Sequence, residues 1–392
     1  MRILFIHEVN YLKKVIYEMH EFPELLALRG HDITFLHYPE GGGKVGLNST
    51  RRRIRGRAYE GAELTLVTPP TLGGGAAERY LAPLLAWATL RREIVHGDYD
   101  AIVLYAVPTT GWQTIRIARA AGVPVLFRAL DVSHLIRRSA VSGLIRRVER
   151  VVYRSATILS ANNPALLQYC VEESERSGPS EVHLPPLDFA HFMAGDGSAA
   201  RHRWGIGLHE RVILYMGSFF GFSGLETVIS HLASRLLTEA SLRLVLLGGG
   251  EQDELLRRIA RDCGVEDRVL FTGVVPYADL PDHLAMADVA INPFRPQLVT
   301  DLALPHKVLQ YIAAGLPVVS TNLRGLHAVM GDDHGITWTA DPESAADAAA
   351  SLAMASADLR HGLAVRQRER LTELFSVDGA VTALETSLSS LG

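Results

Sequence analysis

The sequence predicts an α/β protein of two doubly wound domains facing a central cleft. Three observations carry that reading. The chain has 392 residues, more than one hydrophobic core comfortably serves, and two domains of under ~200 residues each are expected at that length. Short apolar runs alternate with longer segments of helical period, the pattern of strand, crossover helix and parallel strand. The series then restarts after LPPLDFAHF (184–192), whose paired prolines read as a linker. The expected boundaries are 1–188 for the first domain and 189–374 for the second, with a C-terminal helix of about 375–392 packing back on the first.

In the first half the strand candidates are Arg2 to Ile6, Asp32 to Leu36, Leu64 to Val67, Ala101 to Tyr105, Val123 to Arg128 and Thr157 to Ser160. The second series is Val212 to Met216, Leu242 to Leu247, Val269 to Thr272, Val289 to Pro293 and Val318 to Thr321. Each run is too short for a helix, and runs apolar throughout are those of strands buried on both faces in a parallel sheet. Between 41 and 57, glycines followed by Arg51, Arg52, Arg53, Arg55 and Arg57 read as a long solvated loop. The last segment, roughly Ala364 to Leu391, reads as helix.

Composition excludes several classes. With 48% hydrophobic and 21% charged residues the chain is a packed globular one. A formal charge of −4 gives no overall field to recruit nucleic acid. Cys170 and Cys263 stand apart from each other and from any Cys/His cluster, so neither a disulfide framework nor a zinc site is expected. The apolar run of MRILFIH is that of a first strand rather than a signal peptide, and no run approaches the ~20 apolar residues of a membrane span. A cytoplasmic location is the expectation. Only Lys13, Lys14, Lys44 and Lys307 are lysines, which singles out any lysine in a ligand-binding loop.

In open parallel sheets ligands gather at the carboxyl ends of strands, where helix N-termini attract anions. Four loops of the second half meet that description. Gly217 to Glu226 offers glycines for close backbone approach, with Ser218 and Ser223 as donors. Gly248, Gly249 and Gly250 join a buried strand to an amphipathic helix; either loop alone reads equally as a structural turn. Thr272-Gly273-Val274-Val275 could hold a planar base through main-chain groups or be a simple connection. The fourth, DLALPHKVLQYIAAGLPVVST (301–321), places Leu304, Pro305 and His306 at a helix start and Lys307 and Gln310 three residues apart on one face. A lysine there adds a cation to the helix dipole for a diphosphate, and Gln310 can bond a ribose hydroxyl; the alternative is a solvent-facing lysine.

These segments, together with LLALRGHDITFL, SANNPALLQY and LPPLDFAHF, resemble the retaining GT-B glycosyltransferases of the family 4-like, group 1 kind. The order and spacing of the series make the resemblance specific. It implies two Rossmann-like lobes, a nucleotide-diphosphate sugar held mainly by the second, a hydroxyl acceptor held mainly by the first, and transfer with retention of anomeric configuration. It implies no metal and no cofactor, with a UDP-sugar as donor, and a product in bacterial glycan, glycolipid or secondary-metabolite biosynthesis.

The departures from the family pattern are equally informative. Gly217-Ser218 and Ser223-Gly224 stand where the family has phosphate-binding Gly-Arg and Lys-Gly. Leu302 and Gln310 occupy the two positions of its Glu-x7-Glu pair, and Leu130 stands where a histidine is common. Arg128 and Asp131 are left as catalytic candidates with Lys307, a buried Arg-Asp pair being the alternative for the first two. His7, Glu8 and His134 are left as acceptor candidates. The basic amphipathic stretch 134–154 fits a lobe helix with a solvated arginine face, the favoured reading, or a peripheral contact with the inner face of a membrane. A nucleotide-sugar epimerase of the same architecture, and a degenerate lobe that binds a nucleotide or a partner without turnover, are the competing functions.

Overall fold

The computed structural model describes residues 1–38, 46–72, 81–105, 107, 110–136 and 141–391. The glycines from 41 to 45, Lys44 and Arg137 and Arg138 of the basic stretch lie outside them. The chain forms two compact units, Met1–Pro186 completed by Val377–Gly392, and Leu187–Ser376.

The first unit is built on eight strands: β1 (Arg2–Ile6), β2 (Asp32–Leu36), β3 (Thr50–Arg55), β4 (Glu63–Thr68), β5 (Ala101–Leu104), β6 (Val125–Ala129), β7 (Ile158–Ala161) and β8 (Ser180–Val182). Their order is β3-β4-β2-β1-β5-β6-β7-β8. Every pairing is parallel except β3 with β4, which is antiparallel. β3 corrects the sequence expectation of a solvated loop over its length. Arg51, Arg52, Arg53 and Arg55 are exposed on an edge strand, where charge protects unpaired backbone groups against further strand addition. The arginine pattern hid the strand because neither face of β3 is fully buried.

β1 lies centrally, with Ile3 in register with Ile33 and Ala101. Ile3, Phe5, Phe35, Val103 and Leu126 form a core that Phe22 and Leu26 of helix Glu18–Leu28 close from one side. Val381, Leu384 and Leu388 of the last helix, Val377–Ser389, join the same core. That helix is pinned at its surface by Arg29, which donates to Glu385 Oε2 at 2.7 Å and also pairs with Asp378, while His31 Nε2 bonds Glu385 Oε1 at 2.7 Å. The single helix expected over 364–391 is in fact two, Ala357–Leu374 and Val377–Ser389. Phe375 breaks them with an extended backbone and a buried ring, at the boundary between the units.

The second unit carries β9 (Arg211–Ser218), β10 (Leu242–Gly249), β11 (Val269–Gly273), β12 (Val289–Asn292), β13 (Val318–Thr321) and β14 (Thr337–Thr339), all parallel, in the order β11-β10-β9-β12-β13-β14. Numbered within the unit, that order is 3-2-1-4-5-6, the doubly wound arrangement whose direction reverses between its first and fourth strands. β9 and β12 therefore flank the crevice in which such sheets bind ligands.

Arg128 was expected beside a cleft with Asp131, and the structure corrects both its location and its partner. Its side chain is 0% exposed, and its guanidinium forks onto Glu18, with Nε donating to Oε1 at 2.7 Å and Nη2 to Oε2 at 2.8 Å. Nη1 donates to Ser160 Oγ at 3.0 Å and to the Ala161 carbonyl at 3.1 Å. Since every position of β6 is buried, a residue there can project only into a helix layer, and Glu18 is the carboxylate that layer supplies. Breaking such a pair leaves an uncompensated charge, so Glu18→Gln or Arg128→Met alone should cost about 3–5 kcal/mol. The pair Glu18→Gln with Arg128→Met should recover most of that loss in urea unfolding of the full chain; additive losses would show that the two charges do not act as a unit.

Candidate functional site

In the second unit β9 ends on Gly217 (φ +134°) and Ser218, and β10 on Gly248 (φ +136°) and Gly249. At Gly217 and Gly248 a side chain is disfavoured by both the backbone conformation and the space. A Cβ at Gly248 would lie 2.0 Å from the Gly217 carbonyl oxygen, and one at Gly217 would lie 2.8 Å from Lys307 Nζ. The glycines thus let the two strand ends close on each other and let the lysine reach the backbone of β9.

Lys307 belongs to helix His306–Ala313, whose start follows the extended Pro305. Nζ donates to the Tyr215 hydroxyl at 2.7 Å and lies 4.0 Å from the Tyr215 ring centroid and 4.5 Å from that of Phe294. Among the described residues no carboxylate pairs with it. Tyr215 is the fifth residue of β9 and Phe294 follows β12, so the ammonium stands at the reversal of the sheet, between two aromatic faces that attract a cation. Burial lowers its pKa to about 7. An ammonium held this way retains donor capacity that no carboxylate satisfies, which is suited to an incoming anion.

The other candidate residues of these loops fall into two groups. Ser218 is exposed and Val274, at 72% exposure, projects from the turn after β11. Gly250 is exposed and Gly249 half-buried at the end of β10. Ser223, in contrast, is buried with its hydroxyl engaged inside its own loop: it accepts from Phe220 N at 3.2 Å and bonds Tyr215 Oη at 3.1 Å and the Ser218 carbonyl at 3.2 Å. Its contribution is to fold the turn from Gly217 to Gly224. Leu304 and Pro305 are buried at the foot of the Lys307 helix, His306 is half-buried, and Gln310 lies buried one turn further on. Sequence reasoning missed Tyr215, Phe294 and Asn292. Tyr215 lies inside the expected strand Val212 to Met216 and Phe294 just past the expected strand Val289 to Pro293, and an aromatic at each end of the reversal was the available signal. Asn292 closes β12, is fully buried, and donates to Ser320 Oγ at 3.0 Å while its Oδ1 has no partner among the described residues.

In the first unit the corresponding reversal lies between β1 and β5. His7, directly after β1, stacks on Tyr105, directly after β5, with centroids 5.2 Å apart and planes 5° from parallel. His7 Nε2 is 3.2 Å from the Tyr17 hydroxyl, while Nδ1 has no partner among the described residues. Burial first, then the charges of Lys14 and His20, lower its pKa to about 3, so His7 is neutral. Glu8 follows it, half-buried. After β6, Asp131 is open to solvent yet crowded by protein, and burial with the charge of Glu149 raises its pKa to about 6 against the opposing charge of Lys14. His134 is oriented by Glu149, a buried carboxylate that bonds its Nδ1 and accepts from the Tyr153 hydroxyl at 3.3 Å. His7, Glu8, Asp131 and His134 are thus brought to the carboxyl edge of one sheet, while Arg128, near the end of β6, is fully buried with its guanidinium engaged by Glu18, Ser160 and Ala161.

Two family models match the chain: the glycosyl transferase 4-like domain over residues 19–186 and the glycosyl transferases group 1 over residues 210–355. The chain belongs to the family 4-like, group 1 GT-B glycosyltransferases. Among relatives of this family, it is 35% identical over 147 residues to a GDP-mannose-dependent alpha-(1-6)-phosphatidylinositol monomannoside mannosyltransferase of Mycobacterium tuberculosis, a match covering 36% of this chain and 38% of that protein. It is 26% identical over 267 residues to a D-inositol 3-phosphate glycosyltransferase of Acidothermus cellulolyticus, covering 62% of this chain and 57% of that one. The chain thus spans well under two thirds of the length of these relatives. Across both full chains it aligns with Anabaena HepE in complex with UDP-glucose at a TM-score of 0.75 and 18% identity. It aligns with the sucrose-phosphate synthase of Thermosynechococcus elongatus at 0.78 and 16%, covering 100% of this chain and 98% of that one. These structural likenesses establish the GT-B fold.

The environment of Lys307 has a consequence for stability. Its folded pKa lies near 7, below that of an exposed lysine, so the unfolded chain holds more protons from there upward and stability gains from this group as pH rises toward the unfolded value. Replacing Lys307 by Met should raise the melting temperature, and the gain should be larger at pH 6 than at pH 9. An equal gain at both values would show that the lysine remains charged throughout.

Proposed function

We propose that the protein is a retaining glycosyltransferase that moves a sugar from a nucleotide-diphosphate donor, a UDP-sugar, to a hydroxyl acceptor, without a metal. The observation that carries the reading is the Lys307 ammonium at the reversal between β9 and β12, held against Gly217 by two aromatic rings. It supports the assignment of the diphosphate to that crevice. Lys307 and the main-chain N–H groups about Gly217, Gly249, Gly250 and His306 then stabilise the departing phosphate, with the exposed Ser218 hydroxyl within the same loop. This replaces the arginine and lysine that the family carries in the first donor loop. Gln310 takes the ribose and the turn at Val274 the base.

In the reaction the bond from the anomeric carbon to the diphosphate oxygen breaks largely before the acceptor oxygen bonds the same carbon from the same face. The acceptor proton passes to the leaving diphosphate. Each ~1.4 kcal/mol of extra stabilisation of that leaving group is worth about tenfold in rate, and a fixed cation in a site of low dielectric is a strong source of it. On the acceptor side, neutral His7 and the His134 imidazole held by Glu149 offer hydrogen-bonding groups to a hydroxyl, with Asp131 beside them. The two unpaired cysteines, Cys170 and Cys263, suit a reducing, cytoplasmic setting. Among the described residues no helix is long and apolar enough to cross a membrane.

A thermal-shift panel of UDP, GDP, ADP and TDP with their sugars tests the donor assignment. A ligand at a hundred times its dissociation constant adds about 2.7 kcal/mol, a readily measured rise. UDP is expected to give the largest shift; no shift with any of the four would remove the reading, and binding without any sugar release would favour a degenerate lobe. Because bound diphosphate restores the proton to Lys307, UDP affinity should fall as pH rises above 7. Lys307→Ala should weaken binding, abolish that pH dependence and lower turnover by more than tenfold, while an unchanged turnover would take the lysine out of the site.

A further inference from the structure

Three helices of the first unit, Trp87–His96, Gly111–Ala121 and Ser142–Ser155, pack side by side. Their solvent faces share one pattern. Trp87, Arg91 and Val95 recur at intervals of four residues, and Trp112, Arg116, Arg119 and Leu144, Arg147, Val151 at intervals of three and four, so each trio forms a single exposed stripe. The two carboxylates on these helices, Glu93 and Glu149, are both buried. Every exposed charged residue of the three is therefore basic, on a protein whose formal charge is −4. Arg146 and Arg150 are neutralised by Glu173 and Arg154 pairs with Glu175. Arg91, Arg116, Arg119 and Arg147 have no carboxylate partner among the described residues.

The apolar members are as unusual as the charges. Trp87 and Trp112 are each 38% exposed with ring centroids 6.4 Å apart, and Leu84 and Leu144 nearby in the sequence of these elements are 75% and 61% exposed. All four lie at or just before the first turn of their helices. A helix that links two parallel strands runs opposite to them and starts at their carboxyl edge. The tryptophans and leucines thus rim the edge that carries His7, Tyr105, Asp131 and His134, and the arginines stand one or two turns behind them.

We infer that this three-helix face docks on an anionic lipid surface, with Trp87, Trp112, Leu84 and Leu144 entering the headgroup region and Arg91, Arg116, Arg119 and Arg147 meeting the lipid phosphates. Tryptophan suits the boundary between apolar chains and water, and unpaired arginines backed by no exposed acid supply the charge complementarity. The inference rests on the acceptor half of the proposed function and deepens it. Docking by this edge presents the first unit's loops to the membrane plane, so the acceptor is an amphiphile whose hydroxyl is drawn from the lipid surface.

The test is co-sedimentation of the full chain with vesicles of phosphatidylcholine alone and of phosphatidylcholine with phosphatidylglycerol. Sedimentation is expected only with the anionic vesicles, at low salt, with release at high salt and a shift of tryptophan emission to shorter wavelength. Arg116→Glu with Arg119→Glu, at exposed positions where folding is not at stake, should weaken binding by at least fivefold per arginine, equivalent to ~1 kcal/mol for each basic residue lost. Trp87→Ala with Trp112→Ala should weaken it at low salt and remove the shift of tryptophan emission. No sedimentation at low salt, or sedimentation that both double variants leave unchanged, overturns the inference. The UDP thermal shift measured on the same samples reports separately on the second unit, so loss of the donor reading and loss of the lipid surface are told apart.

Discussion

A parallel strand can be followed by another only if the chain climbs back along a helix, and that return forces strand ends and helix starts to one edge of the sheet. Nearly all the chemistry here follows from it. In the second unit it brings the glycine ends of β9 and β10, the close of β12 and the start of the Lys307 helix together. In the first it gathers the residues after β1, β5 and β6. The interiors of both sheets are apolar strands buried on both faces, and the functional groups are what the topology leaves at the rim.

Such a rim does not hold a cation without cost. The Lys307 ammonium is kept by two rings and one phenol, with no carboxylate among the described residues to balance it. Lodging a cation there is a local instability that a bound anion relieves, the kind of strain found where a site is organised ahead of its ligand. Glu18 and Arg128 illustrate the opposite use of charge. Their fork is complete in itself, with Ser160 and the Ala161 carbonyl absorbing the remaining donors, and it fixes helix Glu18–Leu28 against β6.

The sheets were legible in the sequence because buried parallel strands are written as short apolar runs. Arg2–Ile6, Asp32–Leu36 and Val318–Thr321 begin and end where the runs do. β3 was not legible, since a strand that buries neither face carries no periodic apolar signal, and β8 and β14 are three residues each with no fully buried position. At the site, Lys307 stood out by rarity and by its place at a helix start. Tyr215 and Phe294 did not, because an aromatic residue beside a strand end has the same appearance whether it fills a core or cradles an ammonium. Arg128 misled for a related reason: its position on β6 follows from the sequence, but which helix layer it enters, and that Glu18 waits there 110 positions earlier, is set by packing alone.

The last helix, Val377–Ser389, lies in the core of the unit that the first strand begins, and Ser389 Oγ reaches the sulfur of Met1 at 3.7 Å. In covalent terms the second unit is a continuous insertion, 187–376, within a first unit assembled from both ends of the chain. During synthesis the second unit can therefore close on itself once residues 187–376 have left the ribosome, while the first keeps an apolar groove along helix Glu18–Leu28 uncovered until residues 377–389 follow. A nascent chain halted between the two would carry a finished second unit and an unsealed first one.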